Sequence, residues 1–361
     1  MKLALAESRI SLSELKVEVA SQWDALSLPE CGPPYSNSPQ LTPLRISVAL
    51  CTCNGERYLQ EQLKSISAQT RLPDEVVICD DNSADSTREI LSSFAASAPF
   101  RVRVEHNLSR LGSTHNFERA IRFCTGDLIA LCDQDDMWGA EKLSIQAARF
   151  ENDPAIGGLF SNAALIDSES NSIGRTLWQS IDFSPVQQRL IQAGQAVNVL
   201  LSQSVVTGAT LMFRAEFIPI FCPIPSSWVH DGWIAWVIAL RSKLDLVPEP
   251  LISYRIHSIQ QCGVLPSVWN RINRRQTSAT LQYLATAHQL RDLCQYLYQG
   301  GDAIHSRSIS LLEKKIQHLN LRASLPKNRF MRFIRIFPEM QNYWKFSKGW
   351  KSLSKDIIIR Q

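Results

Sequence analysis

Predicted strands and helices alternate through the first half of this 361-residue chain. Strands are predicted from Ile46, Val76, Arg101 and Leu128, and segments with apolar residues at helical spacing lie between them. Continuous apolar runs are typical of strands covered on both faces, and their alternation with helices favours parallel pairing. The sequence therefore predicts an α/β fold with a mainly parallel central sheet flanked by helices.

Two of these predicted strands end in clusters of acidic residues. Asp80 and Asp81 follow the second run, and the sequence DQDD at 133–136 follows the fourth. In an open parallel sheet, ligands bind beyond the carboxyl ends of the strands. An ordinary turn would explain Asp80 and Asp81, but three carboxylates within four residues repel one another. A divalent cation would relieve that repulsion, and oxygen ligands suit Mg²⁺ or Mn²⁺; a solvated acidic turn is the alternative.

The sequence contains neither the GxxxxGK[ST] nor the GxGxxG motif. A metal held by one or two carboxylates keeps open positions for substrate phosphates. We therefore predict a metal-dependent enzyme that binds a nucleotide diphosphate without a glycine-rich loop.

The charge balance is too mild to indicate a nucleic-acid-binding protein, with 38 Lys and Arg against 34 Asp and Glu. No stretch reaches the ~20 apolar residues that span a membrane. Nine scattered cysteines fit a reducing compartment. We expect a cytoplasmic protein that is peripheral on the inner face of the cell membrane if its tail binds lipid.

The C-terminal tail concentrates positive charge, with nine Lys or Arg and two acids over residues 327–361. Aromatic residues from Phe330 to Trp350 interleave with these charges. The mixture suits a segment on an anionic membrane surface. It also fits RNA binding by stacking and phosphate contacts, or a helix packed on the domain. We favour the membrane surface and predict no nucleic-acid partner.

Six segments in the correct order resemble family 2 glycosyltransferases with the GT-A fold: VALCTCNGERYLQEQLKSISAQT, VVICDDNSADST, LIALCDQDDMW, TGATLMF, WVHDGW and PEPLISYRIH. The resemblance is strongest to the rhamnosyltransferase-like branch that builds surface polysaccharides. It covers residues 45–262, which we expect to form the glycosyltransferase domain. An N-terminal extension and linker (1–44) and a helical C-terminal region with the basic aromatic tail (263–361) lie outside it.

The resemblance implies a role for individual residues of this chain. Asp231, in the acceptor-side segment, would be the catalytic base. Asp135 would coordinate a divalent metal, Mg or Mn, with His257 as a further ligand. Asp136 would hold the loop or the sugar. The residues implied in binding the nucleotide sugar are Thr52, Asn54, Glu56, Asp80, Asp81, Asn116, Asp133 and Gly208.

Several of these residues also have structural interpretations. Asp231 would cap a helix that starts near Trp233. His257 would serve as a hydrogen-bonding residue beside a strand, Arg255 would face a phosphate, and Gly208 would form a plain turn.

The resemblance thus implies inverting transfer of a sugar, with rhamnose as a candidate, from a nucleotide-diphosphate donor. The acceptor would be a saccharide or a lipid-linked molecule in surface polysaccharide biosynthesis. A nucleotidyltransferase acting on sugar phosphates is one alternative, although it would usually have a glycine-rich basic loop after the first strand. A non-catalytic nucleotide-binding scaffold is the other.

Overall fold

The computed structural model describes residues 43–257, 279–299 and 306–358. Nearly all of the expected N-terminal extension and linker (1–44) lies outside these residues. The described residues contain one nine-stranded sheet. Its strands are β1 (Ile46–Thr52), β2 (Glu75–Asp80), β3 (Arg101–His106), β4 (Leu128–Asp133), β5 (Met137–Trp138), β6 (Ile156–Ile166), β7 (Ser172–Thr176), β8 (Leu211–Arg214) and β9 (Lys243–Arg255).

The four strands predicted in the first half are confirmed, and they pair in parallel. The sheet order is β3-β2-β1-β4-β8-β6-β9-β5, with β7 paired to β6. β8 runs antiparallel to both β4 and β6, whereas β6 and β9 are parallel. Every residue of β1 and β2 is buried, as expected for strands covered on both faces.

Helices cover this sheet and form the C-terminal region. They are α1 (Leu59–Ser67), α2 (Thr87–Ser97), α3 (Ser113–Phe123), α4 (Lys142–Asn152), α5 (Leu177–Ser180), α6 (Pro185–Gln192), α7 (Ala196–Ser202), α8 (Ile218–Phe221), α9 (His230–Arg241), α10 (Ala279–Gln299), α11 (Ser306–Ala323), α12 (Arg329–Ile336), α13 (Met340–Phe346) and α14 (Trp350–Ile358). In α1 the residues at helical spacing, Leu59, Leu63 and Ile66, are buried. No helix among the described residues has the length and apolarity needed to cross a membrane.

Residues Val205–Phe213 form an apolar run that predicts a strand broken at Thr207 and Gly208. The break is confirmed, and sheet pairing begins only after it, at Leu211. Residues Gly208–Thr210 form a single 3₁₀ turn. Both the backbone N–H and the hydroxyl of Thr210 donate to the carbonyl of Thr207, at 2.9 and 2.7 Å. The backbone N–H of Thr210 and the carbonyl of Thr207 are therefore bonded within the turn and are not available to a neighbouring strand. The strand starts after the turn.

The C-terminal helices pack directly against the α/β part. The indole N–H of Trp228 donates to the carbonyl of Gln289 at 3.1 Å, and the Gln289 amide donates back to the carbonyl of Ser227 at 2.7 Å. The ring of Tyr296 meets that of Trp233 edge to face. α13 packs on α7. The predicted helical character of this region is confirmed.

A buried polar cluster lies between α11, α13 and α14. Arg322 donates to the carboxylate of Asp356 at 2.6 Å, and the hydroxyl of Tyr343 donates to the same carboxylate at 2.8 Å. Burial and then the charge of Arg322 lower the pKa of Lys315 to about 7. Burial and then the charges of Lys315 and Arg322 lower the pKa of His318 to about 3. An ion pair and hydrogen bonds thus join these helices in addition to their apolar contacts.

Candidate active site

A cleft of about 890 Å³ lies beyond the carboxyl ends of β1 and β4. The register explains why, since Cys51 pairs with both Cys79 and Asp133, which brings the ends of three strands together. Nine residues implicated by the sequence line this cleft: Thr52, Asn54, Asp81, Asn116, Asp133, Asp135, Gly208, Asp231 and His257. Glu56 and Asp80 are not among its lining residues.

Asp135 and His257 are adjacent in the cleft. The His257 Nε2 lies 2.8 Å from Oδ2 of Asp135, and the two side chains are 8% and 15% exposed. The Nδ1 atom of His257 is buried without a hydrogen-bond partner in the structure. One carboxylate and one imidazole are therefore held side by side on the loop after β4 and at the end of β9.

Asp133 lies among carboxylates that shift its pKa. Burial, followed by the charges of Asp135 and Asp231, raises the pKa of Asp133 to about 8. The three carboxylates thus repel one another across the cleft, and a bound cation would reverse that repulsion. The donor set of Asp135 and His257 fits a divalent metal, although no group of three His, Cys, Asp or Glu side chains converges within the described residues.

Asp136 and Arg255 form the framework behind this pair. Asp136 is 1% exposed, and its Oδ1 accepts the backbone N–H of Arg255 at 2.9 Å. The fully buried Arg255 guanidinium donates to the Asp135 carbonyl at 2.7 Å, to Ser170 at 2.8 Å and to Glu61 at 2.7 Å. The interpretation that Arg255 faces a phosphate is therefore wrong, because its donors are used within the protein.

Asp81 organises the loop at the other side of the cleft. Its carboxylate accepts the backbone N–H groups of Leu111 and Gly112, at 2.7 and 2.9 Å, and the side-chain amide of Asn107 at 2.7 Å. Asn107 also donates to Asn116, whose own amide donates to a backbone carbonyl. Asp81 and Asn116 are thus both fixed at the cleft wall.

Asp80 is not among the lining residues of the cleft, unlike its neighbour Asp81. It is fully buried and accepts from Thr52 at 3.1 Å, Arg88 at 3.3 Å and both donors of Ser83. Burial alone would raise the pKa of Asp80, but the hydrogen bonds from Ser83, His106 and Thr52 outweigh it and the pKa is lowered. Asp80 holds the turn after β2 and has no free oxygen for a ligand.

Glu56 is likewise engaged elsewhere. Its Oε2 accepts the backbone N–H of Ser86 at 3.0 Å, at the start of α2. A carboxylate at this position satisfies an N–H that precedes the helix. The placement of Glu56 in the nucleotide pocket is therefore not supported by the cleft's geometry.

Asp231 lies opposite the acidic loop, in the first turn of α9. That helix begins at His230, so Asp231 is inside the helix rather than at the N-cap expected from sequence. Its Oδ2 accepts the backbone N–H of Gly208 at 2.9 Å, and its Oδ1 accepts that of Gly232 at 2.6 Å. His230 beside it stacks on Phe117 and has no hydrogen-bond partner in the structure for either ring nitrogen.

The backbone of Gly208 packs closely against His230 and Asp231. A Cβ added there would lie 2.9 Å from Nε2 of His230 and 3.5 Å from Cβ of Asp231. The position therefore has a packing requirement for glycine, and the plain-turn interpretation is insufficient.

Two lining residues that sequence reasoning missed have clear contacts. Gln134, between the two acids, accepts the backbone N–H of Cys53 at 2.8 Å and donates to its carbonyl at 3.2 Å. Lys348, which follows α13, donates to the carbonyl of Ile181 at 3.0 Å and lies 3.6 Å from Asp182. Gln134 could have been predicted, because it lies between two acids of the DQDD segment. Nothing in the sequence indicates that the C-terminal Lys348 lies at this cleft.

Residues 47–217 match the family model described as Glycosyl transferase family 2. The chain is 28% identical over 218 residues to an uncharacterized glycosyltransferase of Nostoc sp., covering 59% of this chain and 65% of that protein. It is 35% identical over 98 residues to a dTDP-rhamnosyl transferase of Shigella flexneri, covering 26% and 34% respectively. The chain thus matches less than two thirds of the length of these relatives.

A solved structure has the same fold. The mannosyltransferase of Pyrobaculum calidifontis, in complex with GDP-Man and Mn²⁺, superposes with a TM-score of 0.51 at 18% identity. The match covers 95% of this chain and 92% of that one. The expected GT-A fold is confirmed.

Proposed function

Because residues 47–217 of this chain belong to glycosyl transferase family 2, we propose that it is a metal-dependent, inverting glycosyltransferase. It transfers a sugar from a nucleotide-diphosphate donor to a saccharide or lipid-linked acceptor during surface polysaccharide synthesis. The observation that carries this proposal is the placing of Asp133, Asp135, His257 and Asp231 in one cleft.

The donor binds along the acidic side of the cleft. Thr52, Asn54, Asp81 and Asn116 line the nucleotide end, and Asp133 approaches the ribose. Gly208 lies by the sugar or the acceptor, where its backbone N–H donates to Asp231. Rhamnose is the proposed sugar, which is supported by the resemblance to the dTDP-rhamnosyl transferase of Shigella flexneri.

Asp135 and His257 hold a divalent cation, Mg²⁺ or Mn²⁺, in this proposal. When bound, such a cation supplies Lewis-acid stabilisation of the charge on the departing diphosphate. The imidazole beside the carboxylate favours Mn²⁺, since Mg²⁺ prefers oxygen ligands alone. Asp136 and Arg255 keep the loop carrying Asp135 in place through their backbone contacts.

Asp231 acts as the general base. The N–H groups of Gly208 and Gly232 orient its carboxylate toward the cleft. It removes the proton of the acceptor hydroxyl as that oxygen attacks C1, on the sugar face opposite the diphosphate. That geometry produces inversion at the anomeric carbon.

Donor binding is the first test. Titration calorimetry with UDP-, dTDP- and GDP-sugars, with Mn²⁺ or with EDTA, should show binding of at least one donor that needs the metal. We expect Asp135→Ala to abolish the metal-dependent part, because it removes a ligand. Equal donor binding by the parent and Asp135→Ala would reject the metal assignment.

Turnover is the second test, measured as release of nucleoside diphosphate from the donor. Asp231→Asn should keep donor binding but lower turnover at least ~100-fold, the scale of a lost general base. Binding without turnover of any donor would identify a scaffold. Formation of a nucleotide sugar from a sugar phosphate and a nucleoside triphosphate would identify a nucleotidyltransferase.

A further inference from the structure

Helix α12 presents an apolar face to solvent. Phe330, Phe333 and Phe337 lie on one side of the helix and its following turn, with exposed fractions of 71%, 51% and 63%. Met331 and Ile334 beside them are 50% and 49% exposed. Side chains of this size seldom cluster at the surface unless something binds there.

The opposite face of α12 is firmly anchored, so this exposure is a property of a defined helix. Ile336 packs in a small core with Tyr343 and Leu353. Arg332 is 2% exposed and donates to the carbonyls of Pro326 and Asp356 at 2.5 and 3.0 Å. The Asn328 side chain caps the helix start by accepting two backbone N–H groups.

The charge around the apolar face has one sign. Lys327, Arg329 and Arg335 are exposed beside it. The acidic residues of this region, Glu339 and Asp356, are half-buried and buried. Cations next to exposed apolar side chains match an anionic lipid surface, which attracts each of them.

We propose that the outer face of α12 docks the protein onto a lipid bilayer with anionic headgroups. Its phenylalanines enter the acyl boundary while Lys327, Arg329 and Arg335 meet the headgroups. A second copy of the same face would bring cations against cations. RNA bases would stack on the phenylalanine rings, but they could not stack on Met331 and Ile334, which are also exposed and are not aromatic.

The proposal deepens the proposed function, because a lipid-linked acceptor would be met at that surface. It depends on that function only for the identity of the acceptor. Vesicle binding is measured without donor or metal, and donor binding is measured without vesicles, so failure of either proposal is recognised separately.

Co-sedimentation of the full chain with vesicles tests the docking directly. The parent should bind phosphatidylcholine vesicles that contain phosphatidylglycerol, bind vesicles of phosphatidylcholine alone more weakly, and dissociate as salt rises. Phe330→Ser/Phe333→Ser should lower the partition coefficient at least ~10-fold, because two rings can no longer be buried.

Leu281→Ser/Leu284→Ser is the matched control, since both leucines are exposed on another helix, α10, at 56% and 42%. This variant should bind vesicles as the parent does. Circular dichroism and Mn²⁺-dependent donor titration should be unchanged in both variants, because the substituted side chains lie outside the core and the cleft.

Three outcomes would overturn the proposal. One is a parent chain that does not bind anionic vesicles, and another is full binding by Phe330→Ser/Phe333→Ser. The third is a dimer in sedimentation velocity, or binding of a single-stranded RNA oligonucleotide, that the same double substitution abolishes.

Discussion

His257 and Asp135 are 122 positions apart in the chain, yet Nε2 of the histidine lies 2.8 Å from Oδ2 of the aspartate. The contact joins the end of β9 to the loop after β4, at the point where the carboxylates of the cleft converge. It gives the proposed metal site a nitrogen as well as an oxygen donor.

Removing the imidazole should weaken the metal-dependent interaction with the donor. We expect His257→Ala to lower Mn²⁺-dependent donor affinity by about 10–100-fold, the range for a disturbed metal site. Calorimetric titration with Mn²⁺ and with EDTA measures this effect. His106→Ala is the control, because His106 lies beside Asp80 outside the cleft lining. Equal losses in the two variants would argue against a role for His257.

A methyl group at Gly208 should impair turnover more than donor binding. The added Cβ would lie 2.9 Å from His230 and would disturb Asp231, which the Gly208 N–H orients. We expect Gly208→Ala to lower turnover at least ~10-fold with little change in donor affinity. Measured turnover equal to that of the parent would contradict this account of the base.

Gly232 offers the matched control on the other side of Asp231. A Cβ there would meet Trp228 at an ordinary 3.6 Å. Because Gly232 is inside α9, alanine should raise the free energy of unfolding by about 0.5–1 kcal/mol and leave turnover near the parent's value. Urea denaturation and the nucleotide-release assay check both expectations.

Acid should destabilise the C-terminal helices through His318. Its pKa is about 3 in the folded chain, against 6.5 for a free imidazole, so the unfolded chain binds more protons between these values. Stability therefore falls as the pH is lowered, by about 2 kcal/mol from pH 7 to pH 5. His318→Gln should remove this part of the slope. Urea titrations of both proteins at pH 7, 6 and 5 measure it, and parallel slopes would refute it.

Breaking the buried ion pair of the C-terminal helices should be costly. Asp356→Ala leaves the guanidinium of Arg322, whose side chain is 6% exposed, without its carboxylate. We expect a loss of about 3–5 kcal/mol in the free energy of unfolding. Lys355→Ala, at the exposed neighbouring position, should change it by less than ~0.5 kcal/mol. Similar unfolding midpoints for the two variants would show that the pair contributes little.

The sequence predicted the strands best where burial is complete. β1, β2 and β4 are read directly from their apolar runs, because both faces of each strand are covered. The break at Thr207 and Gly208 is also read from the sequence, but apolar composition does not reveal that Gly208 contacts Asp231 or that the strand starts only at Leu211. A contact between distant segments decided that boundary.

Asp80, the last residue of β2, and Asp81, which follows it, show why the site was only partly predictable. Successive side chains of a strand point to opposite sides, so Asp80 and Asp81 were never equivalent. The sequence gives no sign of which one faces the cleft. Asp81 lines the cleft, whereas the carboxylate of Asp80 accepts hydrogen bonds from Thr52, Ser83 and Arg88.

The tail shows the same limit on a larger scale. The aromatic residues that interleave with its cations do not share one surface, because Phe346 is fully buried whereas Phe330 is exposed. Arg332, one of the interleaved cations, is buried as well. The chain folds back as α12–α14, and this arrangement depends on contacts that spacing does not encode.

Lys348 makes the C-terminal region part of the wall of the cleft. Since it contributes to the cleft and holds the carbonyl of Ile181, deleting the tail would open one wall of the chamber as well as remove the basic helix. Loss of activity after truncation would therefore not diagnose detachment from lipid. Point substitutions on the outer side of α12 separate the two effects.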